Sequence, residues 1–154
     1  MTVIITNPRE RVRFGRFAVV GLIGAVVDFG TMNLLTKFLS LPLVVAGTIS
    51  FIAAVCSNFL WNRYWTYPDS RSKPVTKQLV QFMLVNAAGL LIRVPLLAVL
   101  EPLFTRFFVW LPFHLPLISS EHLAKNADLA VAVVVVMFWN FFVNRYWTYS
   151  DVTD

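Results

Sequence analysis

Apolar residues gather into four long runs, at about residues 17–38, 44–64, 79–100 and 129–147, separated by short polar breaks. Each run meets the roughly 20 residues that a helix needs to cross the hydrocarbon core of a bilayer. The pattern predicts an all-α membrane protein with four transmembrane helices. One stretch, at about 101–126, disturbs the count. Phe104, Phe107, Phe108, Val109, Trp110 and Leu111 would suit a fifth span, but Arg106, Pro112, His114 and Pro116 oppose one. It reads instead as an aromatic insertion lying on the outer interface.

A repeat organises the four runs. Asn62-Arg63-Tyr64-Trp65-Thr66-Tyr67 returns letter for letter as Asn144-Arg145-Tyr146-Trp147-Thr148-Tyr149. Asn58-Phe59 and Asn140-Phe141 precede the two copies, and Asp69 answers Asp151. A fainter correspondence links Phe17, Gly24 and Asp28 to Phe82, Gly89 and Arg93, at a constant offset of 65. Internal similarity of this kind marks a duplicated structural unit. The chain is therefore expected to be a single membrane domain, 1–154, built from two parallel helix-hairpin repeats at about 14–69 and 79–151. A fifth span would put the two hexapeptides on opposite faces of the membrane.

Composition agrees with the pattern. Hydrophobic residues make up 58% of the chain and charged residues 14%, with a mean hydropathy of +0.69. A soluble domain of 154 residues could not hide that much apolar surface. The net charge of +5 could suggest nucleic acid, but its distribution excludes that partner. Nine basic residues flank the runs on one side: Arg9, Arg11, Arg13, Arg16, Arg63, Arg71, Lys73, Lys77 and Arg145. Three, Lys37, Arg106 and Lys125, fall on the other. The positive-inside rule makes the first group cytoplasmic, together with both termini. The N-terminal run is too long for a secretory signal and continues into the repeat. The lone Cys56 excludes an internal disulfide and a cysteine metal cage, and reads as a small packing residue.

Two charges lie inside predicted spans. Asp28 and Arg93 occupy equivalent posts of the two repeats with opposite signs, which suggests similar depth and a possible pair, either static or functional. Gly21, Gly24, Asp28 and Thr31 share one face of the first helix, and Asn86, Gly89 and Arg93 repeat that spacing on the third. Small residues there let membrane helices approach closely. Pro95 weakens the third helix just beyond Arg93. Asn58 with Asn62, and Asn140 with Asn144, are four apart and share a helix face. Arg63 and Arg145 follow at headgroup depth with a fork of donors suited to phosphate. The tyrosines and tryptophans of both hexapeptides fit an interfacial aromatic belt. His114 and His122 fall in the outer loop. With no glycine-rich phosphate loop, metal cluster or nucleophile–base set, the sequence is not expected to be an enzyme or to need a cofactor.

The pattern Arg16-Phe17, Val20-Gly21, Gly24, Asp28, then Asn58-Phe59 and Asn62-Arg63-Tyr64-Trp65-Thr66-Tyr67, resembles the GtrA-like membrane proteins. The resemblance implies a small four-span protein of the plasma (bacterial inner) membrane. Such a protein would be a flippase, moving polyprenyl-phosphate-linked sugars such as undecaprenyl-phosphate hexoses to the outer leaflet for cell-surface polysaccharide synthesis. Arg63 and Arg145 would then meet the phosphate, Asn58, Asn62, Asn140 and Asn144 the phosphate or sugar hydroxyls, and Arg93, beside Asn86, would exchange Asp28 for the anion deeper in. The alternative is a non-catalytic scaffold that recruits or stabilises a membrane glycosyltransferase. A small-ion or drug transporter ranks below both, because Arg93 would repel a cation. Besides membrane lipids, a second copy of the chain is an expected partner, a dimer being the first guess.

Overall fold

A computed structural model describes residues 7–110 and 120–152, and among these every regular element is helical. Helix α1 spans Pro8–Phe38, α2 Leu43–Trp61, α3 Val75–Trp110 and α4 Ser120–Val143. Each of α2 and α4 ends in one π-helical segment, Asn62–Thr66 and Asn144–Thr148. All four helices are long and apolar enough to cross a membrane.

Two helices outrun the apolar pattern. Asn7 caps α1 by accepting a hydrogen bond from the Arg9 N–H at 2.9 Å, Pro8 takes the first helical position and Glu10 sits in the first turn. That start lies among charges, so a reading of apolar length begins the helix too late. In the same way α3 runs past Pro95 and Pro102 to Trp110. Each proline frees a carbonyl one turn back without ending the helix. Residues 101–110 thus continue α3, and 120–126 begin α4, where the sequence pattern suggested a separate element. His114, Pro112 and Pro116 lie outside the described residues, and His122 falls in the first turns of α4.

Burial repeats with the sequence. The inward stripe of α1 is Glu10, Arg13, Phe17, Val20 and Gly24, steps of three and four that keep one helix face. On α3 the buried positions are Gln78, Gln81, Phe82, Val85 and Gly89, which are the counterparts of Arg13, Arg16, Phe17, Val20 and Gly24. Ala46, Ser50 and Phe59 on α2 answer buried Asp128, Ala132 and Phe141 on α4. Outward positions such as Leu22, Val26, Val44, Leu91 and Val94 are apolar and exposed, as lipid-facing positions should be.

The chain divides into two compact units: Met1–Met83 with Arg145–Asp154, and Leu84–Asn144. In the first, α1 packs on α2, and Phe59 meets Phe82 with ring centroids 5.8 Å apart. Gly24 lies so close to Asn58 that a methyl group there would overlap the amide. In the second, Gly89 faces Asn140 and Val136 in the same way but less tightly, and the Trp139 indole donates to the Val85 carbonyl at 3.2 Å. Gly21 has nothing near it, so close packing is confined to the second glycine of the α1 face. Cys56 is exposed rather than packed.

Candidate functional site

The first unit gathers the first hexapeptide, the second from Arg145 onward, the start of α1 and the 67–78 link. Within each copy the same four residues turn inward. Asn62, Arg63, Thr66 and Tyr67 are buried, as are Asn144, Arg145, Thr148 and Tyr149, while Tyr64 and Tyr146 are exposed. The widened π turn helps set this division. Its i→i+5 bond, Tyr67 N–H to Asn62 carbonyl at 2.8 Å, keeps a whole polar turn on one side. Both copies then close with the same turn: Ser70 N–H donates to the Tyr67 carbonyl at 3.1 Å and Val152 N–H to the Tyr149 carbonyl at 3.2 Å.

Burial corrects one part of the sequence reading. Tyr67 and Tyr149 are not belt residues; they stack on each other, centroids 4.3 Å apart and 16° from coplanar, with no exposure. Burial, then the neighbouring Tyr149 and Glu10, pushes the Tyr67 phenol well above the ordinary tyrosine range. Burial also raises Tyr149, against a smaller opposing pull from Arg63. Trp147, Tyr64 and Tyr146 do turn outward, where an aromatic belt would place them.

The two repeat arginines differ. Arg145 donates through Nε to Glu10 at 2.9 Å, and Glu10 also takes Arg13, all three being buried. Arg63 is just as buried, at 5% exposure, yet its Nε and Nη1 have no hydrogen-bond partner. Sequence reasoning put the two on a par because it passed over Glu10, whose signal is an acid three residues before Arg13 in a capped first turn. Asp69 lies 3.5 Å from Arg13, and its counterpart Asp151 accepts from Gln78 at 3.5 Å. Asp151 is further bonded by the Ser70 and Ser72 hydroxyls and by the Ser72 and Lys73 N–H groups. Partial burial raises its carboxyl, but these hydrogen bonds overcome that and hold it below the usual range.

Other cations close the ends of the π segments. Lys73 Nζ donates to the Trp147 carbonyl at 2.7 Å and to the Ser150 hydroxyl at 2.6 Å, with burial lowering its ammonium against the pull of Asp151. Arg71 donates to the Arg63 carbonyl at 3.0 Å and lies over the Tyr64 ring. Arg16 donates to the Trp65 carbonyl at 2.9 Å and lies over its ring. Cations suit the negative end of a helix dipole and its unpaired carbonyls. Beside them a groove of about 320 Å³ is lined by Arg9, Arg13, Arg16, Thr66 and Asp69, among others.

The deep charges are placed separately. Asp28 is half-buried in the first unit and accepts the Ser50 hydroxyl at 2.5 Å. Arg93 belongs to the second unit, with Asn86 about two turns away on α3 and Asn144 donating to the Asn140 carbonyl at 2.8 Å on α4. That unit also buries Asp128, at the post of Ala46, with Oδ1 unbonded; the sequence reading missed it because an acid near the start of a run looks like loop. The amide oxygens of Asn58, Asn62 and Asn140 are buried and unbonded. Among the described residues no group of three His, Cys, Asp or Glu is placed to hold a metal ion.

A family model described as "GtrA/DPMS, transmembrane domain" matches residues 16–151. The "Uncharacterized membrane protein YngA" of Bacillus subtilis (strain 168) is 33% identical over 82 residues, 53% of this chain and 54% of that one. A "Dolichol-phosphate mannosyltransferase" of Pyrococcus furiosus is 30% identical over 77 residues, 50% of this chain and 22% of the relative. The matched segments thus span about half of the first relative's length and about a fifth of the second's.

Proposed function

Because this chain belongs to the GtrA/DPMS transmembrane-domain family, as a multi-pass membrane protein, we propose that it is a flippase for polyprenyl-phosphate-linked sugar. It would carry the lipid from the cytoplasmic to the outer leaflet of the plasma membrane, for cell-surface polysaccharide or glycan modification. The observation that carries this reading is the cationic groove at the head of α1. Arg9, Arg13 and Arg16 line it where the spans end, beside Trp65. A phosphate held there is neutralised at headgroup depth, which is where a lipid-linked sugar presents its charge.

Polar residues of each unit take further roles in this scheme. Asn58, Asn62, Asn140 and Asn144 offer amides to phosphate or sugar hydroxyls. Arg63 and Arg145 are the cations of the two hexapeptides, and Arg93, with Asn86, is the deeper stop. Asp28, held by Ser50, is the carboxylate that the anion displaces from the polar path. The bundle itself performs no covalent step in this scheme. The test is movement of labelled polyprenyl-phosphate sugar between leaflets of proteoliposomes. Folded protein that leaves the leaflet distribution unchanged overturns the flippase.

One observation favours a second reading. In the Pyrococcus furiosus relative the matched segment is a small part of a protein named as a mannosyltransferase. The bundle would then recruit or stabilise a membrane glycosyltransferase without moving lipid. Arg93→Ala separates the two: lost translocation with normal partner recovery supports the flippase, and lost partner recovery supports the scaffold.

A further inference from the structure

Several posts of the two repeats correspond in burial and in contact. Asp69 reaches Arg13 and Asp151 reaches Gln78 over the same 3.5 Å, which equates residue 13 with residue 78. The same offset of 65 carries Phe17 to Phe82 and Val20 to Val85, all buried. It also carries Glu10 to Val75. Glu10 is the counter-ion of Arg145, so the reciprocal counter-ion of Arg63 belongs at residue 75. Val75 has no charge and is 47% exposed.

Arg63 is therefore a buried guanidinium whose repeat partner has been lost. Its Nε and Nη1 are enclosed and bond to nothing. A buried cation with no anion is strongly unfavourable, because burial removes water without replacing it. The hydroxyls of Thr66, on the same turn, and of Tyr149 are buried and equally without partners. Tyr149 is near enough to feel the charge of Arg63. A buried cation and two idle hydroxyls of the same unit are a set of donors awaiting acceptor oxygens.

We propose that Arg63 is an anion seat, completed by a phosphate group that occupies the place a carboxylate fills at Arg145. Thr66 and Tyr149 donate to the same phosphate, and the uncharged post at Val75 marks its side of entry. The seat lies at the end of the second span, where headgroup phosphate is plentiful. Only the identity of the lipid rests on the function proposed above; the anion does not. A free phosphate and a prenyl phosphate present the same oxygens, and titration distinguishes them.

The test uses the full chain in a neutral maltoside detergent, titrated calorimetrically with farnesyl phosphate, with inorganic phosphate and with farnesol. Wild type should bind farnesyl phosphate and ignore farnesol. Binding of inorganic phosphate as well shows a seat for the group alone; its absence shows that the prenyl chain is also read. Arg63→Gln should weaken binding by about tenfold or more. Val75→Glu supplies the missing carboxylate at an exposed position, and should weaken binding as much while melting no lower than wild type. Equal affinity in Val75→Glu and wild type, or no binding of either phosphate to wild type, overturns the seat. Lost translocation with binding intact overturns the flippase and leaves the seat standing.

Discussion

Tyr67 and Tyr149, equivalent residues of the two hexapeptides, are each other's packing surface, stacked 4.3 Å apart with neither ring exposed. Replacing either with Ala should lower stability by about 3–5 kcal/mol, the range for losing a buried aromatic. Replacing either with Phe should change it by less than about 1 kcal/mol, since both phenol oxygens bond to nothing. Thermal unfolding in detergent reads both. A Phe variant as damaged as the Ala variant would show that the oxygens, rather than the rings, hold the joint.

The same burial gives the fold an alkaline limit. Unfolded tyrosine ionises near pH ~10, and both folded values are raised above that, so protons bind the folded chain more tightly there. The stability they contribute is complete below about pH 10 and is lost as pH rises toward the folded values. The Y67F/Y149F double variant, with nothing to ionise at the joint, should stay folded to higher pH than wild type. Circular dichroism across an alkaline titration measures the difference.

Asp151 sets the opposite limit. Its folded value lies below the unfolded one near ~3.9, so its contribution is present above that pH and disappears as pH falls through the folded value. Hydrogen exchange in the 70–78 link should accelerate on acidification, and Asp151→Asn should show the faster exchange already at neutral pH. Unchanged exchange in that variant would mean that Ser70, Ser72 and Lys73 order the link without the carboxylate.

Glu10 and Arg145 are both almost fully enclosed, whereas Asp69 is exposed to solvent at its contact with Arg13. Glu10→Gln, which removes the buried carboxylate shared by Arg13 and Arg145, should lower stability by about 3–5 kcal/mol. Asp69→Asn should change it by less than about 1 kcal/mol. A double-mutant cycle over Glu10 and Arg145 isolates the pair, and a coupling near zero would remove it as the reason for the asymmetry between the arginines.

Gly24 and Gly89 are equivalent in sequence but not in clearance. A methyl group at Gly24 would overlap Asn58, whereas at Gly89 it would come within 3.1 Å of the Asn140 amide and 3.2 Å of Val136, which need give by only a few tenths of an ångström. Gly24→Ala should therefore cost about 1–3 kcal/mol, more than Gly89→Ala, and Gly21→Ala should be near neutral. Parallel melting curves rank the three.

Four helices, their order and the duplicated hexapeptide follow from hydrophobic length and spelling, because lipid leaves few alternatives to a long apolar helix. The ends are another matter. The start of α1 is set by Asn7, Pro8 and Glu10, and the end of α3 ignores two prolines, so apolar length misplaces both. The site was half legible. Arg63 and Arg145 stand out as residue types, but an identical hexapeptide cannot reveal that one has a carboxylate and the other has none. That difference lies 65 residues apart, between Glu10 and Val75, at posts that share no letter. Tyr67 and Tyr64 likewise look alike in the sequence, and only the π turn sends one inward and the other out.

The stacked tyrosines bear on how such a chain can vary. Elsewhere some equivalent posts differ, since Arg93 answers Asp28 and Asp128 answers Ala46. At the joint each copy is the other's surroundings, ring on ring, so a change accepted by one must be tolerated at once by both. Two rings that form one another's mould are held to a common shape.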